Sequence, residues 1–300
     1  MNYSAFEHLA RSIAPLGWED RYYSMFTAYF DDSGHEDDQL LVVVAGFIAD
    51  AKDWKEFEAL WIAALYRHAM PVACGLPYLH VSEINRKIRT CRQHEACSDH
   101  WTDLRRKRMF DELIDIIRGH VSRKFACVVV NEGLADLSEQ VRIDCLINAY
   151  SAAGRACVAK LREFAFNEHI PYAPRLVFED GSKGKGKLID RLRRDCVQEP
   201  IFERPRNHPS KDGKFIEAGV IPLQSADLFA HIVFDYARAY LRQEPSLLQE
   251  QFHRFKSLPT QELIYAPWDI ANLETELPSL DLSYEVLDRI RHENSHTRKN

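Results

Sequence analysis

The chain has 300 residues, 46% hydrophobic and 28% charged, with a formal net charge of −6 at pH 7. Its apolar content excludes a disordered or fibrous chain, and its acidity excludes a protein that coats nucleic acid indiscriminately, because that mode depends on many Lys and Arg displacing counterions. The longest apolar run, residues 40–49, falls short of the ~20 residues a bilayer demands. The start Met1-Asn-Tyr-Ser lacks the basic-then-apolar character of a secretory signal, and the seven cysteines follow no disulfide spacing, so a cytoplasmic protein with reduced thiols and no membrane contact is expected.

In chain order, residues 1–20 read as an extension before the domain proper. A first strand is expected over about 25–31, ending in Asp31-Asp32-Ser33-Gly34, and a second over 40–49, whose continuous apolar character implies burial on both faces. The two would form a hairpin across the acidic turn. A helix over 52–70 carries Trp54, Phe57, Trp61, Ala64 and Leu65 at helical spacing, a stripe suited to a core. Further on, a helix over 100–118 stops at Gly119, a strand covers 125–130, and Ser138 caps a long helix toward Glu168 that Gly154 could break. A strand at 175–179, a basic helix at 187–196, a Pro-rich loop at 197–214 near the site and a core helix at 223–242 follow. Strands alternating with helices after a hairpin predict an α/β fold, a mixed β-sheet flanked by helices with helical insertions. The domain would span 21–245, followed by a helical or irregular C-terminal appendage over 246–300.

Three acidic motifs stand apart from this framework. Asp31 and Asp32 end the first strand, Glu179 and Asp180 end the strand Arg175-Leu-Val-Phe, and Asp227 lies near the start of the helix opened by Pro222, among Ala226, Leu228, Phe229 and Ala230. Each has a simple explanation: turn formation for the first two pairs, and complementation of the helix dipole for Asp227. A buried carboxylate is nevertheless costly without a cation or a donor cluster. Three acids from two strands and a helix suit Mg²⁺ or Mn²⁺, which prefer carboxylate oxygens, and such ions can promote phosphodiester cleavage.

Taken with Ala45-Gly46-Phe47, the helix from Trp54 to Trp61, Leu79-His80-Val-Ser-Glu83 and Leu223-Gln224-Ser-Ala-Asp227, the acidic motifs resemble a bacterial RNase H-like family, the one catalogued as domain of unknown function 3800. The similarity covers roughly residues 25–245. Its first and last motifs are the most specific, and Asp32 stands where that family more commonly has Glu. The resemblance implies an RNase H-like fold, with Asp31 as the first metal-binding aspartate on a central strand and Asp227 as the last, on the C-terminal helix. Glu179 and Asp180 compete for the middle position, because one residue of strand register flips the face, and Asp180 is preferred. Glu83, one turn from His80, would supply an additional acid, although a surface turn with a capping glutamate explains it equally well.

Basic residues offer phosphate contacts near these acids. Lys183, Lys185 and Lys187 follow the middle motif directly, with Gly184 and Gly186 allowing close backbone approach and Gln224 as a further substrate contact. Arg86, Lys87, Arg89 and Arg92 form a second cluster and residues 105–108 a third. Cys91, His94, Cys97 and His100 have the atoms for zinc, but four ligands in ten residues lack the usual paired spacing. The sequence thus predicts a metal-dependent phosphodiester hydrolase of nuclease type with nucleic acid as its partner. A non-catalytic binding or regulatory module, as in a mobile-element or phage-defence complex, and a small-molecule phosphoesterase remain the alternatives.

Overall fold

A computed structural model describes residues 26–34, 40–93, 101–131, 148–170, 172–195, 197–210, 212–257 and 260–265. The expected N-terminal extension, the Ser138 cap, the last residues of the chain and His94, Cys97 and His100 of the possible zinc cluster lie outside them, as does the side chain of Cys91.

Strand β1 (Phe26–Ser33) pairs antiparallel with β2 (Leu41–Asp50), which pairs antiparallel with β5 (Arg123–Val130). On its other edge β1 is joined in parallel by β6 (Arg175–Glu179), and β6 by β7 (Ile201–Glu203). With β10 (Thr260–Tyr265) added in parallel to β5, the order is β10-β5-β2-β1-β6-β7, so β1 lies inside the sheet. The result is an α/β architecture built on a mixed sheet, as the alternation of elements predicted. Two small hairpins, β3 (Val72–Ala73) with β4 (Leu76–Pro77) and β8 (His208–Pro209) with β9 (Ile216–Glu217), lie outside the sheet.

Helices cover both faces. On one, α1 (Ala51–Arg67), α2 (Val81–Gln93), α3 (Asp103–His120) and the long α6 (Ile221–Arg242) pack over Tyr29, Val43, Ala45, Phe47 and Val177. On the other, α4 (Ala149–Asn167) and α5 (Lys185–Arg194) cover Ala28, Phe30, Val44, Phe125 and Phe178. Consecutive strand residues therefore alternate between two dry cores. The stripe of α1 is buried as its spacing predicts, and each large side chain withdrawn from water contributes about 2–3 kcal/mol. Its indoles are also tied: Trp54 Nε1 donates to the Thr27 carbonyl at 2.9 Å and Trp61 Nε1 to Gln224 Oε1 at 3.0 Å.

Three expectations need correction. The acidic pair does not form the hairpin turn, since β1 runs on to Ser33 with Asp31 opposite Ala45 and Asp32 opposite Val44. Strand β2 offers an unbroken row of backbone partners, and the ladder stops only at Gly34, where φ is +93°. Residues 197–214 are not a plain loop, because they supply β7 and β8. Finally, the segment after 245 is no mere appendage, since Leu248 just before α7 (Gln249–Arg254), Phe252 within it and Phe255 after it enter the main core and β10 extends the sheet. Among the described residues, no helix is long and apolar enough to cross a membrane.

Candidate functional site

The strand register settles which acids meet. Tyr29 and Val177 belong to the core beneath α6, while Phe30 and Phe178 belong to the core beneath α4. Two residues on from Tyr29 and Val177, Asp31 and Glu179 share the α6 face, where their carboxyl groups hydrogen-bond to one another. Asp32 and Asp180 take the opposite side. The expected preference for Asp180 is therefore reversed: it accepts from Lys185 Nζ at 2.7 Å at the partly exposed rim, and its amide extends the ladder to the Glu203 carbonyl at 2.8 Å.

Asp227 arrives from the first turns of α6 and is 9% exposed, against 7% for Asp31. Its place is fixed by the neighbouring helix, because Oδ2 accepts from the Val81 amide at the start of α2 at 2.9 Å. Similarly, Asp31 Oδ1 accepts from the Asp32 amide at 2.7 Å. Each of these acids is thus anchored by one backbone donor.

The electrostatics follow from this crowding. Burial, followed by the charges of Glu179, Asp227 and Asp32, raises Asp31 well above the ordinary carboxylate range. Burial and the charges of Asp227 and Asp32 push Glu179 up to about 7, against the pull of the Asp31 hydrogen bond and His80. For Asp227, burial pushes the carboxyl up to about 6 although His80 and the Val81 amide oppose it. A hydrogen bond between two carboxyl groups requires a shared proton, and Asp31 is its favoured holder.

Glu83 sits beside this cluster under different forces. Burial works against its ionisation, but the Tyr78 hydroxyl at 2.8 Å, His80 and Arg206 outweigh it and hold Glu83 below the usual range. His80 Nδ1 lies 3.3 Å from Glu83 Oε1, and Arg206 Nη1 lies 3.4 Å from the same oxygen. On the opposite side of β1, Ser182 Oγ donates to Asp32 Oδ1, and Tyr150 in turn hydrogen-bonds Ser182. Burial, with Asp32 next, raises the Tyr150 hydroxyl far above its ordinary value, so it remains a neutral donor.

The remaining expected contacts divide. Lys185 is engaged with Asp180 and lies 4.3 Å from the Phe202 ring centre, whereas Lys183 and Lys187 are exposed around the start of α5. Gln224 is fully buried and meets the fold: Oε1 accepts from Trp61 Nε1 and, at 2.9 Å, from the Leu79 amide, while Nε2 donates to the Pro205 carbonyl at 2.7 Å. Its donors and acceptors are committed to α1, the approach to α2 and the exit of β7, so the expected substrate contact is corrected to a structural joint. Within the cluster at 105–108, Arg105 stacks 4.2 Å from the Trp101 ring centre and bonds the His68 carbonyl, while Arg106 bonds Asn85 Oδ1 at 2.8 Å.

Carboxylate oxygens are the donors a hard divalent cation prefers, and mutual repulsion among Asp31, Glu179 and Asp227 is what such a cation would relieve. Among the described residues, however, no group of three Asp, Glu, His or Cys side chains forms a ready-made metal cage. A cation would have to displace the shared proton and draw the carboxylates together.

Sequence reasoning missed Tyr150, Tyr78 and Arg206. Ser182 carried a faint signal as part of Glu-Asp-Gly-Ser, but the two tyrosines look like ordinary core residues until α4 and α2 are placed. No family model matches the chain, and no curated protein matches it.

Proposed function

We propose that this chain is a divalent-cation-dependent phosphodiester hydrolase of nuclease type with an RNase H-like arrangement, related to the family its motifs resemble. The observation that carries this reading is the gathering of Asp31, Glu179 and Asp227 from an interior strand, its parallel neighbour and the long helix above them, with each carboxyl raised by burial and by the charges around it. These three would hold Mg²⁺ or Mn²⁺. When bound, such a cation would stabilise negative charge developing on a phosphodiester.

The chain's own groups would do the rest. The Asp32 and Val81 amides orient the Asp31 and Asp227 carboxylates, as second partners commonly do for ligating acids. Glu83, held ionised, orients His80 through Nδ1, leaving an imidazole at the rim able to pass a proton to a leaving oxygen. Lys183 and Lys187 can meet phosphates beside α5. The buried free thiols of Cys127 and Cys157 fit a reducing, cytoplasmic setting.

A second reading rests on the same amides. Because Asp31 and Asp227 each accept from a backbone donor, the acids could serve only to fasten α2 and β1 in a non-catalytic binding module. Mn²⁺ calorimetry on the wild type, Asp31→Asn and Asp227→Asn at neutral pH separates the two. Binding at micromolar to millimolar Kd that each substitution abolishes in a folded protein favours the hydrolase and leads to nuclease assays. Absence of binding in the wild type leaves the structural network.

A further inference from the structure

We propose that the β8–β9 hairpin is a stacking platform for single-stranded nucleic acid, leading it toward the acid cluster; this deepens the reading above and rests on it. Phe215 and Ile216 are 60% and 52% exposed at this hairpin. Large apolar side chains on a loose loop would be unremarked, but the described residues of this hairpin are braced by a network of hydrogen bonds. The Ser210 amide donates to the Phe215 carbonyl at 2.8 Å, the Phe215 amide to Ser210 Oγ at 3.2 Å, and Asp212 Oδ1 accepts from Ser210 Oγ at 2.7 Å and from the Lys214 amide at 3.2 Å. His208 and Glu217 pair across the ladder at 2.9 Å. At the base, Asn207 Oδ1 accepts from the Gly219 amide at 2.8 Å, and Asn207 Nδ2 reaches the Cys74 carbonyl at 3.2 Å, tying the hairpin to β3–β4. An aromatic ring held out on a rigid support can meet a flat partner with little ordering cost.

Charge and position select that partner. Lys214 is 79% exposed beside Phe215, and Arg204 and Arg206 are exposed where the chain enters the hairpin. Arg206 lies 5.1 Å from the Tyr78 ring centre and contacts Glu83, which pairs with His80, and His80 in turn acts electrostatically on Asp227 and Glu179. The platform is thereby linked by side-chain contacts to His80, which acts electrostatically on the acids. A base stacked on Phe215 with its phosphates near Lys214 and Arg204 matches how single strands are held, by rings for the bases and cations for the backbone, whereas a duplex offers no free base face there.

The test measures binding in the absence of divalent cations, so that it does not depend on metal or cleavage. Fluorescence anisotropy of labelled dT12 and U12 with the full chain in EDTA should give saturable binding, weakened at least fivefold by Phe215→Ala and restored by Phe215→Trp. Lys214→Ala should lower the slope of log affinity against log salt by about 0.7. A 12-base-pair duplex should bind more weakly and be indifferent to Phe215→Ala. Equal single-strand affinity of wild type and Phe215→Ala, both folded by circular dichroism, overturns the inference. So does self-association in sedimentation that Phe215→Ala abolishes while no oligonucleotide binds, because the face then belongs to a second copy. The two readings fail separately: Phe215-dependent binding by a chain that takes up no Mn²⁺ removes the hydrolase alone, and Mn²⁺-dependent cleavage indifferent to Phe215 removes the platform alone.

Discussion

Replacing Asp31 with Asn should flatten the dependence of stability on pH. Folding raises Glu179 from 4.5 to about 7 and Asp227 from 3.8 to about 6, so the folded chain keeps protons that the unfolded chain has released. Their contribution is fully present below about pH 4 and is lost as the pH rises through about 6–7. At about 1.4 kcal/mol per pH unit, each group alone would cost about 3 kcal/mol when ionised. Asp31 and Glu179 share one proton and Glu179 keeps contact with solvent, so the fall between pH 5 and pH 8 should total about 2–4 kcal/mol. In Asp31→Asn the amide oxygen can still accept from the Asp32 N–H and the amide N–H can donate to Glu179, so the raised Asp31 carboxyl and the shared proton are gone, while burial and the charges of Asp227 and Asp32 still raise Glu179. With the raised Asp31 carboxyl removed, the variant should lose about 1–2 kcal/mol less than the wild type over this range and be more stable than it by about that amount at pH 8. Urea denaturation followed by circular dichroism at several pH values between 5 and 8, without divalent cations, measures both. Parallel curves for the two proteins would refute the coupling of Asp31 to Glu179.

Glu179→Gln should weaken Mn²⁺ binding at least tenfold, while Asp180→Asn, which loses a rim contact to Lys185, should stay within about twofold; equal effects in calorimetry would reverse the assignment made from strand register. Gln224→Leu leaves Trp61 Nε1, the Leu79 amide and the Pro205 carbonyl without their partner and should cost about 3–4 kcal/mol in denaturant unfolding, and a cost under 1 kcal/mol would show that these groups find other partners. Gly34→Ala places a Cβ 2.3 Å from the Leu41 carbonyl oxygen at φ +93°, so a loss of about 2–3 kcal/mol is expected, and an unchanged Tm would disprove the strained turn.

Most of the fold was legible because its signals are local. The aromatic stripe of α1, the apolar run of β2 and the Pro222 start of α6 each fix an element without reference to the rest of the chain. The acids were also visible, since a carboxylate between Ala226 and Leu228 contradicts its surroundings. Which of them meet was not visible. Choosing Glu179 over Asp180 depends on pairing Phe30 with Phe178 across the sheet, a long-range fact that residue type does not encode. Gln224 misled for a related reason: beside Asp227 it resembles a substrate contact, and only the packing of Trp61 against α6 reveals its partners. The continuation of β1 through Asp31 and Asp32 was hidden because turn preference and strand pairing compete there, and the backbone of β2 decides the outcome.

The place of β1 inside the sheet bears on how the chain is made. As the polypeptide emerges, β2 follows at once and covers one edge of β1, but the other edge stays open until Arg175–Glu179 has been synthesised. An open apolar strand edge invites pairing with other nascent chains. The edge of β1 ends in two adjacent carboxylates, whose charge repels a like strand drawn alongside it. Asp31, which joins the acid cluster of the finished fold, and its neighbour Asp32 thus also guard an unfinished sheet from its own copies until its proper neighbour arrives.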